Sequence, residues 1–351
     1  MSNSSGNPAI VFKNLIIYRL IPEWDPTLSS AQEAAFKQRF APCGKSQPQS
    51  LGWVPPRGEA EAPLIEVVGG HWLMRLQVEQ KMLPGSVVKR RAEEMAQQVE
   101  ASTGRKPGKR ESKELREQAT QELLPQAFTK MAGVSVWIAP KQKFVCVDAG
   151  STSRAEVVIT MLVKTLEGFG VQALQTALSP ASAMAGWLES GEAPPFFTVD
   201  RDCELKAVDE MKSAVRYARH ALDGEEVREH IRMGKRPTRL ALTWHSRVSF
   251  VLTEQLQVKK IQFEDGVFEG AGATKAEDGF DADAAIATGE LIQLLPDLIE
   301  ALGGEQPLGA VPGVLPNAPA AAPTAPAPAS APARPQGALP ATTAGDDSPP
   351  W

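Results

Sequence analysis

Apolar and polar positions along the chain alternate with two different periods, and the switches between them outline the fold. Phe12 to Leu20 is a run of apolar and β-prone residues and predicts a strand. Trp72 to Val78 and Val134 to Ile138 predict two more, and Phe144 to Val147 is expected to pair back on the latter. Ser86 to Thr103 and Lys113 to Phe128 are rich in Glu, Gln, Ala, Lys and Arg and predict helices, broken at Thr103-Gly-Arg-Lys-Pro-Gly108. Together they make a helical hairpin projecting from a sheet. A second βα pattern follows, with helices at 155–169 and 225–233 and extended segments at 204–208 and 215–220.

The strictest alternation runs over residues 239–252. Leu240, Leu242, Trp244, Val248, Phe250 and Leu252 form one set, interrupted by Ser246. Arg239, Ala241, Thr243, His245 and Arg247 form the other. Period two sends the first set into a core and the second, with both arginines, onto one exposed face. A closing helix at 284–302 stops at Gly303-Gly304, and Asp281 and Asp283 are expected to cap its start. Beyond it, residues 303–351 hold 12 of the chain's 29 prolines. That composition predicts a disordered tail whose removal from 306 onward leaves the fold intact.

The fold class expected is α+β, with mixed sheets and a projecting helical finger. The divisions are a flexible N-terminus (1–8), a central α/β region (9–85 and 129–200), the finger (86–128), a C-terminal α/β region with basic strands (201–304) and the Pro/Ala-rich tail (305–351).

Charge changes the functional picture. The 351 residues carry a net −5, which argues against a polyanion partner if spread evenly. It is not spread evenly. Lys81 to Arg116 holds ten Lys/Arg against five acids, and Lys206 to Arg247 ten against six. Residues 261–302 hold ten acids and one lysine. A basic surface and an acidic one coexist, and only the first need face phosphate. The bland reading of the finger is a solvated face laced by i,i+4 pairs.

Catalytic chemistry leaves no comparable signal. No phosphate-binding GxxxxGK[ST] loop occurs. Cys43, Cys146 and Cys203 form no CxxC pair, and His71, His220, His230 and His245 show no metal-ligand spacing. Reduced, mostly buried thiols, no cofactor, no metal and no enzymatic role are expected. No apolar run is long enough to span a bilayer, and Met1 to Asn7 does not look like a signal peptide. A cytoplasmic protein is expected.

Several stretches resemble one family collinearly. They include Phe12-Lys-Asn-Leu15, Tyr18-Arg-Leu20, Pro42-Cys-Gly44, Gly52-Trp-Val-Pro-Pro56, Glu79 to Pro84 and Leu123-Leu-Pro-Gln-Ala-Phe128. Val136-Trp-Ile138, Ala241-Leu-Thr-Trp244, Phe280-Asp-Ala-Asp283, Thr288-Gly-Glu-Leu291 and Leu298 to Gly304 follow in order. The chain resembles the bacterial recombination-associated RdgC family over residues 10–305. The resemblance implies a ring-shaped homodimer with a positively lined hole. It also implies binding of DNA, duplex and single-stranded, with little sequence preference, association with the nucleoid, and antagonism of the RecA recombinase. It places Phe128 at a finger contact between subunits and the 215–247 region toward the hole. Gln126 stands where relatives often carry a basic residue, and Arg219-His220 where a Lys-Gln pair occurs. The candidate DNA-contacting residues are therefore Lys212, Arg216, Arg219, His220, Arg239 and Arg247, with Lys89 and Arg90 on the finger. The alternative is a protein–protein module that acts on the recombinase directly, with DNA binding secondary.

Overall fold

The computed structural model describes residues 12–209, 212–264, 266–268 and 276–306. The chain divides into two units, 1–314 and 315–351, and every described residue belongs to the first. The expected flexible N-terminus (1–8) and most of the expected tail lie outside the described residues.

The elements run β1 (Asn14–Leu20), α1 (Leu28–Lys37), β2 (Gln49–Val54), β3 (Glu66–Val68), β4 (His71–Met82), α2 (Gly85–Thr103), α3 (Lys109–Leu123), β5 (Phe128–Ala139), β6 (Phe144–Val147) and α4 (Thr152–Thr165). They continue with β7 (Val171–Ala173), α5 (Pro180–Ser190), β8 (Phe197–Ala207), β9 (Ala214–Tyr217), α6 (Glu225–Arg232), β10 (Lys235–Trp244), β11 (Val248–Thr253), β12 (Gln257–Phe263) and α7 (Ala276–Ala301). The expected mixed sheets are one sheet, ordered β2-β4-β5-β6-β1-β12-β11-β10-β8-β9, with β3 added on β4 and β7 on β1. Every described strand pair is antiparallel. β8 carries the chain through position 200 without a break.

Strand parity divides the core in two. Leu15 and Ile17 of β1, Trp137 of β5 and Cys146 of β6 point into a cluster with α5, α6, α7 and the apolar face of β8 and β10–β12. Ile16 and Leu20, Val136 and Ile138, and Val145 and Val147 point the other way, into a cluster with α1 and α4. The central strands are thus buried on both faces. The α1/α4-side cluster takes no residue from β8–β12, so that side of those strands lies outside both apolar clusters. Burial pushes the Cys146 thiol up, and that of Cys203 up to about 12, so both stay protonated.

The hairpin α2–α3 has its own small core of Val88, Met95, Leu115 and Ala119. Gly104, with φ of 72°, ends α2. The second helix stops sooner than the sequence pattern predicts. Pro125 removes a backbone donor, the chain tightens into a 3-10 turn at Leu124–Gln126, and Phe128 opens β5 opposite Met82. Strand pairing with the long β4 overrides the helical pattern there.

α7 also departs from expectation. It begins at Ala276, so Asp281 sits inside it and binds Arg57 at 2.7 Å instead of capping its start. In the Gly52-Trp-Val motif, a Cβ on Gly52 would meet Phe40 Cα at 2.3 Å. Glycine lets segment 38–40 lie against β2, where Trp53 N–H donates to Gln38 O at 2.9 Å.

Residues 305 and 306, expected to belong to the tail, are held to the fold. Glu305 bridges Thr176 and forms a two-pronged ion pair with Arg19, whose guanidinium lies 3.9 Å from the Phe144 ring centroid. Gln306 is buried, and its N–H donates to Gln175 O at 2.9 Å. Deleting 307–351 is expected to leave unfolding free energy within about 0.5 kcal/mol of the full chain. Deleting from 305 should cost roughly 1–3 kcal/mol, through the lost ion pair and backbone hydrogen bonds. Urea melts of the two truncated proteins check this, and equal stability would place the boundary back at 304.

Candidate nucleic-acid interface

This side of β8–β12 collects cations from four strands, and ladder irregularities decide which of them meet. Between the pairs Leu242–Val199 and Leu240–Cys203, strand β8 sets three residues, Asp200, Arg201 and Asp202, against the single Ala241 of β10, two more than a regular ladder holds. The β10 ladder shifts again between Pro237 and Arg239. A third shift, between Ser249 and Val251 of β11, falls opposite Lys260 of β12. Lys260 has φ of 53°, the left-handed region that a bulge demands of it.

A cleft of about 210 Å³ opens among these faults. Arg216, Arg239, Lys259 and Lys260 bring its positive charge, Asp202 and Glu204 its negative charge, and Asn14 and Tyr217 add polar groups. Arg216 has no acidic partner among the described residues. Lys259 Nζ donates to Gly150 O at 3.1 Å, a neutral acceptor that leaves its charge uncancelled. Asp202 accepts from the Arg219 backbone N–H at 2.8 Å. Glu204 is more heavily used. Thr238 Oγ1 donates to it at 3.0 Å, Lys206 Nζ lies 3.2 Å away, and Arg239 approaches to 4.0 Å. Burial works to raise the Glu204 carboxyl, but Thr238, Lys206 and Arg239 outweigh it and hold the group below the usual carboxylate range.

The candidate residues named from sequence do not all gather here. Arg216 and Arg239 do. Arg219, exposed and with φ of 54°, sits beyond the end of β9 next to the rim acid Asp202. His220 follows it, with Nε2 3.4 Å from Glu226. Lys212 (φ 46°) lies in the β8–β9 loop, its N–H donating to Asp209 Oδ1 at 3.0 Å.

Arg247 is the correction. The turn after β10 places His245 and Ser246 at φ of 47° and 54° and breaks the alternation. Arg247 then leaves the Arg239 face and pairs with Glu290 of α7, Nε to Oε2 at 2.8 Å, which raises its pKa. Trp244 Nε1 donates to Asp297 on the same helix at 2.8 Å. On the finger, Lys89 pairs with Glu93 at 3.7 Å, one of three i,i+4 pairs with Arg110–Glu114 and Lys113–Glu117. Arg90 is exposed and has no ion pair among the described residues.

Lys259 and Lys260 escaped the sequence reading. Neighbouring residues of a strand normally point to opposite faces, so two adjacent lysines promise only one on the cleft side. The break in alternation at Gln257-Val-Lys-Lys-Ile-Gln-Phe263 was the available signal.

Phe128 stands apart from this cleft. It is 86% exposed at the base of the finger, directly opposite Met82, itself exposed. Core packing within one subunit therefore does not account for it.

Among the described residues, no three His, Cys, Asp or Glu side chains converge in a way suited to a metal ion, and no helix is long and apolar enough to cross a membrane.

A single antiparallel sheet with a helical hairpin and a cation-bearing face defines an α+β protein built around an open surface. The family model described as "Putative exonuclease, RdgC" matches residues 10–305, and the chain belongs to the RdgC family. It is 48% identical over 299 residues to the recombination-associated protein RdgC of Dechloromonas aromatica (strain RCB), covering 84% of this chain and 98% of that one. It is 42% identical over 297 residues to the protein of the same name from Cupriavidus pinatubonensis, covering 84% and 99%. The counterpart in Janthinobacterium sp. (strain Marseille) is also 42% identical, over 296 residues, covering 84% and 98%. The family ties the chain to recombination.

Proposed function

We propose that this protein binds DNA without sequence preference, as a ring-shaped homodimer that encircles or coats the duplex, and so restrains a RecA-type recombinase. It acts by occupancy and performs no chemistry on the strand. The observation that carries the reading is the cleft on β8–β12, where Arg216, Lys259 and Lys260 form no ion pair among the described residues, although Arg216 stands opposite Glu204 in the β8–β9 ladder. Lysine and arginine that contact phosphate position a protein on the duplex and carry no sequence information. The exposed Phe128–Met82 pair supplies the self-contact that closes the ring at the fingers, and Lys212, Arg219, His220 and Arg90 extend the basic surface.

Strand exchange at saturating recombinase and limiting DNA tests this. Inhibition is expected to disappear when an unrelated bystander duplex is added in excess, with the labelled DNA recovered at full length. Inhibition that persists under excess competitor would support direct contact with the recombinase. Shortened DNA would support the exonuclease description of the family.

A further inference from the structure

We propose that the cleft at the register faults of β8, β10 and β12 is a seat for one backbone phosphate of bound DNA, gripped by Arg216, Arg239, Lys259 and Lys260, with Glu204 as a built-in competitor that limits the grip. This rests on the DNA-binding reading and adds where a phosphate sits and what holds the affinity down.

Three features of the cleft converge on an anion. The first is the faults themselves. A regular β12 would send Lys259 and Lys260 to opposite faces, yet the left-handed backbone at Lys260 brings both into one cleft. Left-handed geometry is strained for a residue with a Cβ, and such strain concentrates at functional positions. The second is the charge account. Four cations line the cleft against two acids, and both acids are already engaged, Asp202 by the Arg219 amide and Glu204 by Thr238, Lys206 and Arg239. The third is size. About 210 Å³ equals the share of roughly seven waters in the liquid, enough for a phosphate entering from the open side.

Glu204 gives the site a signature of opposite sign. Its carboxylate lies 4.0 Å from Arg239, where it competes with an incoming phosphate for the same guanidinium. Replacing it with the neutral, similarly shaped glutamine frees that charge and keeps an acceptor for Thr238.

Fluorescence anisotropy with a labelled duplex and a single strand of equal length, at several salt concentrations, tests the proposal. Lys259→Ala/Lys260→Ala and Arg216→Ala/Arg239→Ala should each weaken binding roughly tenfold and flatten the log–log salt slope by about 0.9 for the lost duplex contact, or 0.7 for a single strand. Glu204→Gln should tighten binding several-fold. Lys37→Ala/Lys164→Ala removes the same charge elsewhere, since Lys164 lies about 20 Å along the α4 axis from its N-terminal end and Lys37 of α1 lines the same hollow, and it should change affinity less than twofold. Lys260→Gly guards against misfolding, because glycine suits the left-handed backbone, and it should still weaken binding. Whichever polymer loses more affinity identifies the phosphodiester that the cleft holds. Cleft variants that match wild type in affinity and slope, or a Glu204→Gln protein no tighter than wild type, overturn the cleft. A wild-type protein that binds neither polymer overturns the DNA-binding reading itself.

Discussion

Phe128→Ala is expected to weaken self-association at least about 100-fold while leaving each subunit as stable as wild type to within about 0.5 kcal/mol. The side chain is 86% exposed in the single subunit, so truncating it opens no internal cavity. In a two-fold interface the substitution acts twice, once from each protomer. Burying an aromatic ring of this size contributes roughly 2–3 kcal/mol at 25 cal/mol per Å², so the paired loss covers the expected change. Met82→Ala, directly across the β4–β5 ladder, should act in the same direction with a smaller effect. Sedimentation velocity and thermal melts on the same samples separate the two quantities. An unchanged dimer constant would take Phe128 out of the interface, and a fall in subunit stability would mean that the ring packs inward.

Much of the architecture was legible in the hydrophobic pattern because strand and helix periods are local. Leu240, Leu242 and Trp244 alternate in the sequence and alternate in β10. The finger's two helices and the break between them follow from composition and from Gly104. What the sequence hid was set by partners distant in the chain. Phe128 reads as the last residue of a helix until β4, about fifty residues earlier, offers a ladder for it. Parity assigned Arg239 and Arg247 to one face, but parity holds only while a strand runs unbroken, and the turn at His245 and Ser246 resets it. The same limit hid the cleft. A register shift belongs to a pair of strands and not to either sequence, so no window around Lys259 and Lys260 shows that both side chains line one cleft. Charge sums failed for a related reason. The two lysines fall between the basic window ending at Arg247 and the acidic one starting at 261, and neither sum includes them.

The salt dependence of DNA binding measures the central claim most directly. Affinity that comes from phosphate neutralisation falls linearly on a log–log plot, with a slope of about −0.9 for each phosphate contacted in a duplex. Four cations of the cleft, together with Arg90, Lys212 and Arg219 on the same chain, supply enough charge for several contacts, doubled in a dimer. Two unrelated duplexes of equal length, titrated between 50 and 200 mM salt (concentrations chosen to bracket about one Debye length of 8–10 Å), should give the same affinity at each point. Both should weaken by roughly 10³-fold or more across the range. A marked preference for one sequence, or an affinity indifferent to salt, would contradict the account.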